Sequence, residues 1–208
     1  MAQRGRFITF EGGEGAGKST QLRLLKTRLS DAGRDVRVTR EPGGSPGAED
    51  IRKLLVEGEP ERWTPLAETL LFLAARADHV ARIIEPALAG GAWVLCDRFA
   101  DSTVVYQGAG RGLGIERVRA LQQQIGVVRP DLTFILDIDP RDGLMRTDKR
   151  GAAENRFEKF DAGFHARLRE SFLQIAREEP DRCIVVDAAR SEEVVASDIW
   201  SQLKARLA

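Results

Sequence analysis

The chain has 208 residues, a length typical of one compact domain. Its 32 lysines and arginines balance its 32 aspartates and glutamates, so no overall basic charge attracts nucleic acid or an anionic membrane. No apolar run approaches the roughly 18 residues of a membrane span, and the start, MAQRGRFITF, lacks the apolar run and cleavage site of a secretory signal. These features predict a cytoplasmic protein that binds any anionic ligand through local contacts and not through its overall charge.

Five short segments have the composition of β-strands. Four are apolar runs bounded by charge or glycine, as in strands that are buried on both faces, and they cover residues 7–10, 93–96, 132–136 and 184–186. The fifth, Val36–Arg40, alternates in the manner of a half-exposed strand.

Longer segments with helical spacing of apolar residues lie between these strands. They cover residues 19–29, 66–89 with an interruption near Pro86, 157–177 and 191–207. Two glycine-rich stretches, 43–47 and 108–114, are predicted to be short loops.

Strands that alternate with helices predict a parallel sheet covered by helices on both faces, with ligands at the carboxyl ends of the strands. No repeat or low-complexity segment divides the chain, so we expect a single domain over residues 1–208. Cys96 and Cys183 both lie in apolar runs, which predicts buried, reduced thiols.

A phosphate-binding motif follows the first predicted strand. The chain matches G-x-x-x-x-G-K-[ST] in full, and the predicted ATP-binding residues are Gly12, Gly13, Glu14, Gly15, Ala16, Gly17, Lys18, Ser19 and Thr20. The glycines let successive backbone N–H groups point at phosphate oxygens, and the following helix adds its positive N-terminal end. Lys18 is expected to reach the β- and γ-phosphates and Ser19 to bind Mg²⁺. The alternative is a glycine-rich turn before a helix, which the position between a strand and a helix disfavours.

This motif alone does not separate a kinase from a GTPase switch or a motor ATPase. The chain lacks the N-K-x-D motif of GTPases, and it reads Asp97-Arg98 where a switch loop has D-x-x-G. The other motifs therefore have to indicate the class.

Four segments resemble the thymidylate kinase family in sequence, order and spacing: FEGGEGAGKST (10–20), TREPGG (39–44), LFLAARADHV (71–80) and DRFADSTVVYQGAGRG (97–112). With the later NRFE segment, the resemblance covers nearly the whole chain. It implies a three-layer α/β P-loop kinase fold with a five-stranded parallel sheet and a short mobile lid. It also implies ATP as phosphate donor, Mg²⁺ as cofactor, dTMP as acceptor and a homodimer.

Two arginines at strand ends are predicted to bind the acceptor phosphate. Arg40 and Arg98 each lie at the carboxyl end of a strand, and a guanidinium can bind phosphate through two N–H groups. The alternative is that both are surface arginines, paired with Glu41 and Asp97. Because a phosphate oxygen is already deprotonated, Asp97 is assigned to Mg²⁺ or its waters and not to proton abstraction.

The remaining acceptor-site residues follow from the resemblance. Phe72 and Arg76 are four apart and share a helix face, which lets the ring stack on a pyrimidine while Arg76 donates to its carbonyl. From periodicity alone, Phe72 can equally be a core residue. The resemblance places Tyr106 under a sugar without a 2′-hydroxyl, and it places three more residues around the base, sugar and phosphate: Gln107, Ser102 and Glu14.

A basic segment at 146–156, RTDKRGAAENR, carries a net charge of +2. It suits a lid that closes over the ATP phosphates, although basic runs also form solvated helix faces. The resemblance favours the lid, with Arg150 and Arg156 as the cations that meet the transferred phosphate.

These motifs predict an enzyme that converts ATP and dTMP to ADP and dTDP in dTTP biosynthesis, with Lys18, Asp97, Arg98, Arg150 and Arg156 as its catalytic residues. Two alternatives stay open. One is a kinase for another deoxypyrimidine acceptor, such as dUMP or a deoxynucleoside. The other is a nucleotide-dependent switch that transfers nothing.

Overall fold

The computed structural model describes residues 4–126, 128–148 and 156–207. Five parallel strands form one sheet in the order β2-β3-β1-β4-β5. The strands are β1 (Phe7–Glu11), β2 (Val36–Arg40), β3 (Trp93–Asp97), β4 (Leu132–Asp137) and β5 (Cys183–Asp187). All five predicted strands are therefore confirmed.

Helices connect the strands. They are α1 (Lys18–Asp31), α2 (Pro46–Val56), α3 (Pro65–His79), α4 (Glu85–Ala89), α5 (Ala100–Thr103), α6 (Ile115–Gln124), α7 (Pro140–Asp148), α8 (Ala162–Glu178) and α9 (Glu192–Leu207). A 3₁₀ turn, Pro60–Arg62, precedes α3, and two π-helical segments, Val80–Ile84 and Val104–Gly110, follow α3 and α5.

Helices cover both faces of the sheet. On one face, Phe10 and Phe134 pack with Leu22 of α1 and Ile199 of α9. The opposite face carries two apolar clusters, one around Phe99 and the other around the rings that follow α5 and line α8. This arrangement confirms the predicted three-layer α/β fold.

The two outer strands differ from the inner three in exposure. Val36–Arg40 is half-exposed, as its alternating sequence predicts. The prediction that residues 184–186 are buried on both faces is wrong, because β5 lies at the other edge of the sheet and Val185 is 44% exposed.

Two segments, in which the sequence predicts an interrupted helix and a loop, contain π-helical turns instead. Near Pro86, the Glu85 N–H donates to the carbonyl of Val80, so a π turn accommodates a residue that has no N–H. The predicted loop at 108–114 is partly wrong, since the helical segment continues through Gly110.

Both cysteines are buried and neither forms a disulfide, as predicted. Among the described residues, no helix combines the length and apolar character that crossing a bilayer requires.

Gly44, in the loop before α2, is required by its surroundings. Its φ is +90°, and a Cβ built on it lies 2.3 Å from His79 Nε2 and 2.5 Å from Thr39 Oγ1. Those two atoms form a partly buried 2.6 Å hydrogen bond. Gly33, which follows α1, has a φ of +76° but open space around its Cβ position.

Gly44→Ala should therefore destabilise the fold more than Gly33→Ala. The control loses about 1–2 kcal/mol to left-handed backbone strain alone. Gly44→Ala should lose about 1–3 kcal/mol more, because the Thr39–His79 bond has to break. Urea unfolding measures both free energies, and equal losses would contradict the close approach.

Candidate active site

The phosphate-binding loop lies between β1 and α1, at the carboxyl end of the sheet. Gly12, Gly15 and Gly17 have positive φ. A Cβ at Gly15 would lie 1.9 Å from the carbonyl oxygen of Gly143, so the loop packs directly on the backbone of α7. The turn that the motif predicts is therefore present, and glycine is required where the loop meets α7.

Lys18 folds back over this loop. Its Nζ donates to the carbonyl oxygens of Gly13 at 2.8 Å and Gly12 at 3.3 Å. Burial and the charge of Arg98 lower the pKa of the ammonium to about 8, against the opposing effect of Asp97 and Glu14. The cation is thus held inside the cradle, where phosphate oxygens would meet it.

Ser19 and Asp97 come together as predicted. Ser19 Oγ donates to Asp97 Oδ2 at 2.9 Å. A hydroxyl and a carboxylate at the cradle are hard oxygen ligands of the kind that Mg²⁺ takes alongside nucleotide phosphates and water. No group of three or more His, Cys, Asp or Glu side chains elsewhere in the described part of the chain could hold a metal. The donor set therefore fits a metal that shares its coordination with a nucleotide.

Arg98 connects the loop to the helical segment after β3. It donates to the Gly12 carbonyl at 2.9 Å, to Ser102 Oγ at 3.2 Å and to Glu14 Oε1 at 2.9 Å. Burial alone would lower the pKa of Arg98, but the combined charges of Glu14, Tyr106, Asp97 and Glu11 outweigh it and raise the pKa. Arg98 adopts a φ of +64°, a strained conformation for a residue with a side chain.

Glu14 receives a second hydrogen bond, 2.7 Å long, from the Tyr106 hydroxyl. Burial raises the pKa of its carboxyl, but the charges of Arg98 and Lys18 and the Tyr106 bond lower it to about 2. The guanidinium of Arg98 also lies over the Tyr106 ring, 4.9 Å from its centroid. Glu14, Arg98 and Tyr106 thus form one compact cluster.

One cavity of 380 Å³ joins the phosphate loop to this cluster. The predicted site residues that line it are Glu14, Gly15, Ala16, Gly17, Lys18, Ser19, Arg40, Phe72, Asp97, Arg98, Ser102, Tyr106 and Gln107. Gly12, Gly13 and Thr20 belong to the loop and the start of α1 but do not line the cavity.

Arg40 and Arg98, the two arginines predicted to bind the acceptor phosphate, pair with carboxylates other than Glu41 and Asp97. Arg40 pairs with Glu49 at 3.1 Å and not with Glu41, and its side chain is 53% exposed at the cavity. Arg98 pairs with Glu14 rather than with Asp97.

Phe72 lines the cavity, but Arg76 does not. Arg76 is buried, and its guanidinium donates to Glu41 Oε2 at 2.7 Å and to Thr103 Oγ1 at 2.9 Å. Glu41 also binds His79 Nδ1 at 3.0 Å. The structure thus places Arg76 behind two residues, Glu41 and Thr103, whose position at the cavity the sequence did not predict.

Arg150 lies outside the described residues. Arg156 is described, and the structure does not bring it to the phosphate loop. Its side chain is fully buried and donates to three backbone carbonyls, that of Leu55 in the last turn of α2 and those of Glu59 and Pro60 in the α2–α3 connection. The prediction that Arg156 meets the transferred phosphate is therefore corrected, because its guanidinium binds backbone carbonyls and stabilises the fold.

Sequence reasoning also missed two residues of the site. Glu11 is fully buried and accepts hydrogen bonds from Phe99 N at 2.8 Å and from the Ser102 hydroxyl, and burial together with the charge of Asp101 raises its pKa to about 7. The Phe157 ring lines the cavity and meets Tyr106 edge-on at 5.5 Å. Glu11 stands inside the quoted FEGGEG segment, but nothing in the pattern marks its contacts.

The Glu14 cluster should make stability sensitive to acid. The folded pKa of Glu14 is about 2 against 4.5 ordinarily, so its ionised form stabilises the fold above pH 4.5, and this contribution is lost as the pH falls. Between about pH 6 and pH 3.5 the wild type should lose about 1 kcal/mol more than Glu14→Gln. Urea unfolding across this range tests the difference, with the exposed change Glu116→Gln as control. Equal slopes for wild type and Glu14→Gln would show that the ion pair contributes nothing.

Comparison with known proteins gives one consistent result. The family described as thymidylate kinase matches residues 10–199. Thymidylate kinases from Dinoroseobacter shibae and Caulobacter vibrioides are each 55% identical to this chain, over 207 and 205 residues, covering 98% of the chain and 98% of each relative. The crystal structure of thymidylate kinase from Ehrlichia chaffeensis is similar with a TM-score of 0.79 and 35% identity, covering 96% of this chain and 99% of that one. The chain belongs to the thymidylate kinase family.

Proposed function

We propose that this protein transfers the γ-phosphate of ATP to dTMP, giving ADP and dTDP for nucleotide biosynthesis. The observation that carries the proposal is the single cavity that joins a complete phosphate loop to a second site lined by Arg98, Tyr106 and Phe72. The relatives at 55% identity, which match over 98% of the chain, are named for this activity.

The donor phosphates fit the loop between β1 and α1. Backbone N–H groups and the N-terminal end of α1 provide partial positive charge, and Lys18 provides a full one. Ser19 and Asp97 would hold Mg²⁺, which when bound neutralises phosphate charge.

The acceptor phosphate fits beside Arg98, which lies at the end of β3 next to the loop. A monophosphate carries roughly −1.5 to −2 charges near neutral pH, so it repels the donor unless cations separate the two. Arg98 is held there by three hydrogen bonds before any ligand binds, and Arg40 adds a more flexible charge at the same cavity. Catalysis then rests on alignment and charge neutralisation.

The low pKa of Glu14 disfavours a deoxynucleoside as acceptor. A nucleoside hydroxyl has to lose a proton to a base, and a carboxylate with a pKa of about 2 is a weak base. A phosphate oxygen needs no such help. Glu14 is better suited to accept a hydrogen bond from a sugar hydroxyl, which is the role that the family resemblance implies.

Three aromatic side chains surround the space beyond Arg98. Tyr106 and Phe157 meet edge-on, and the Phe72 and Phe157 centroids lie 6.1 Å apart. Flat apolar walls suit a pyrimidine ring. This enclosure supports a nucleotide with one small base as acceptor.

We also infer a single domain, a homodimer and a cytoplasmic location from the family resemblance. The exposed side chains of Leu54, Leu66 and Leu70 on α2 and α3 are compatible with an interface. A lid at 146–156 stays a prediction, since most of that segment lies outside the described residues.

Release of ADP should depend on dTMP. Purified protein is assayed with ATP, Mg²⁺ and, in turn, dTMP, dUMP, AMP, GMP or thymidine, and dTMP should give the fastest turnover. Lys18→Ala should lower turnover at least about 100-fold without unfolding the protein, because the cradle loses its full charge. ATP binding without acceleration by any pyrimidine monophosphate would refute the proposal and favour a switch.

Tyr106 should control selectivity for the deoxy sugar. Tyr106→Phe loses the bond to Glu14 but keeps the ring, so it should keep the preference for dTMP over the ribose analogue. Tyr106→Ala opens the space and should reduce that preference about tenfold, as measured by the ratio of kcat/KM values. An unchanged ratio in Tyr106→Ala would exclude a steric role.

A further inference from the structure

Glu68 is a fully buried carboxylate on the cavity side of α3. It stands four and eight residues before Phe72 and Arg76, on the same helix face. Its Oε1 accepts a 3.0 Å hydrogen bond from the side-chain Nε2 of Gln107. Gln107 itself lines the cavity, whereas Glu68 does not.

Two guanidinium groups face Glu68. Arg156 Nη2 lies 2.5 Å from Oε2 and Arg111 Nε lies 3.6 Å from Oε1, both as ion pairs rather than aligned hydrogen bonds. All of these side chains are nearly or fully excluded from water. Glu68 thus faces two cations and one amide N–H, and a carboxylate paired with cations accepts hydrogen bonds.

This arrangement fixes the orientation of the Gln107 amide. An amide has an N–H end and a carbonyl end, and only the N–H end can face an acceptor. Rotating it by 180° would set its oxygen 3.0 Å from a carboxylate oxygen. The Gln107 oxygen therefore points away from Glu68, and it is buried with no hydrogen-bond partner among the described residues.

We propose that Glu68 is a positioning residue that sets base selectivity, by holding Gln107 so that the cavity presents a hydrogen-bond acceptor to the ring edge of the base. A buried acceptor without a partner calls for an N–H group on the ligand. Thymine and uracil carry an N–H at ring position 3, whereas cytosine has a lone pair there. The inference rests on the proposed dTMP site and adds a reason for rejecting cytosine.

The discrimination between thymine and cytosine follows from the way each base meets the Gln107 oxygen. An imide N–H satisfies the Gln107 oxygen, but a cytosine ring sets two acceptors against each other and leaves both unpaired in a buried site. Sites built around a specific hydrogen bond reject analogues that lack it far better than apolar pockets reject shape changes. The best probe is 5-methyl-dCMP, which keeps the methyl group, sugar and phosphate of dTMP.

Glu68→Gln should weaken this selectivity. A glutamine at 68 can accept or donate, so Gln107 is free to rotate and to offer its N–H end to cytosine. The ratio of kcat/KM for dTMP to kcat/KM for 5-methyl-dCMP should fall about tenfold or more, mainly through a gain for 5-methyl-dCMP. The ratio does not depend on the folded fraction, and ligand dissociation constants give the same comparison where turnover is too slow.

Asp101→Asn is the matched control. Asp101 is also a buried carboxylate paired with an arginine, Arg182, at 2.7 Å, and it does not line the cavity. This change should lower stability but leave the ratio unchanged. An equal fall in both variants would mean that the loss of buried charge, and not the orientation of Gln107, relaxes the site.

Gln107→Met tests the same acceptor with Glu68 left in place, so it can overturn the inference even if Glu68→Gln does not fold. The ratio should fall here too, now through a loss for dTMP, and adding Glu68→Gln should not change it further. An unchanged ratio in either single variant overturns the inference. Wild-type protein without dTMP turnover would instead refute the proposed function, so the two failures are distinguishable.

Discussion

The interaction between Glu14 and Arg98 joins the parts of the molecule on which the site depends. Glu14 belongs to the phosphate loop, Arg98 directly follows β3, and the hydrogen bond from Tyr106 to Glu14 connects the helical segment after β3. Because the hydrogen bonds from Arg98 also reach the Gly12 carbonyl, the loop and the strand end cannot move independently. The positive φ of Arg98 costs about 1–3 kcal/mol, which this set of bonds has to offset. Protein groups therefore hold the side chain of Arg98 in place before ligands bind.

A group of buried acids lies in and directly behind the cavity wall. Glu11 accepts from the Ser102 hydroxyl, Glu41 binds Arg76 and His79, and Glu68 holds Gln107. Burying a carboxylate is costly unless it is paired, and each of these has hydrogen-bond partners. Their shared effect is to fix the orientation of a side chain near the cavity. A site for two anions thus contains several acids because the acids hold its donors in place.

Much of the fold could be predicted from the sequence, for identifiable reasons. Four apolar runs and one alternating segment predicted the five strands, and the motifs predicted most of the residues that line the cavity. The exposure of Val185 could not be predicted, because strand order and not composition makes β5 an edge. Arg156 was misplaced for a related reason, since a basic run does not reveal that one arginine is buried against three carbonyls. Glu68 carries no local signal at all, and its role depends on partners that lie 39, 43 and 88 residues away in the chain, at Gln107, Arg111 and Arg156.

The zero net charge of the chain explains why this group of buried acids matters. A strongly basic protein could collect phosphates through its overall field, but this one has equal numbers of positive and negative side chains. Selectivity then has to come from a few donors and acceptors whose positions are fixed in advance, because a misplaced buried group costs more than a surface charge. The same solution occurs three times: Lys18 is held by the loop carbonyls, Arg98 by Glu14 and Gln107 by Glu68. In each, a group held by the protein itself is oriented for the ligand atom that the chemistry requires.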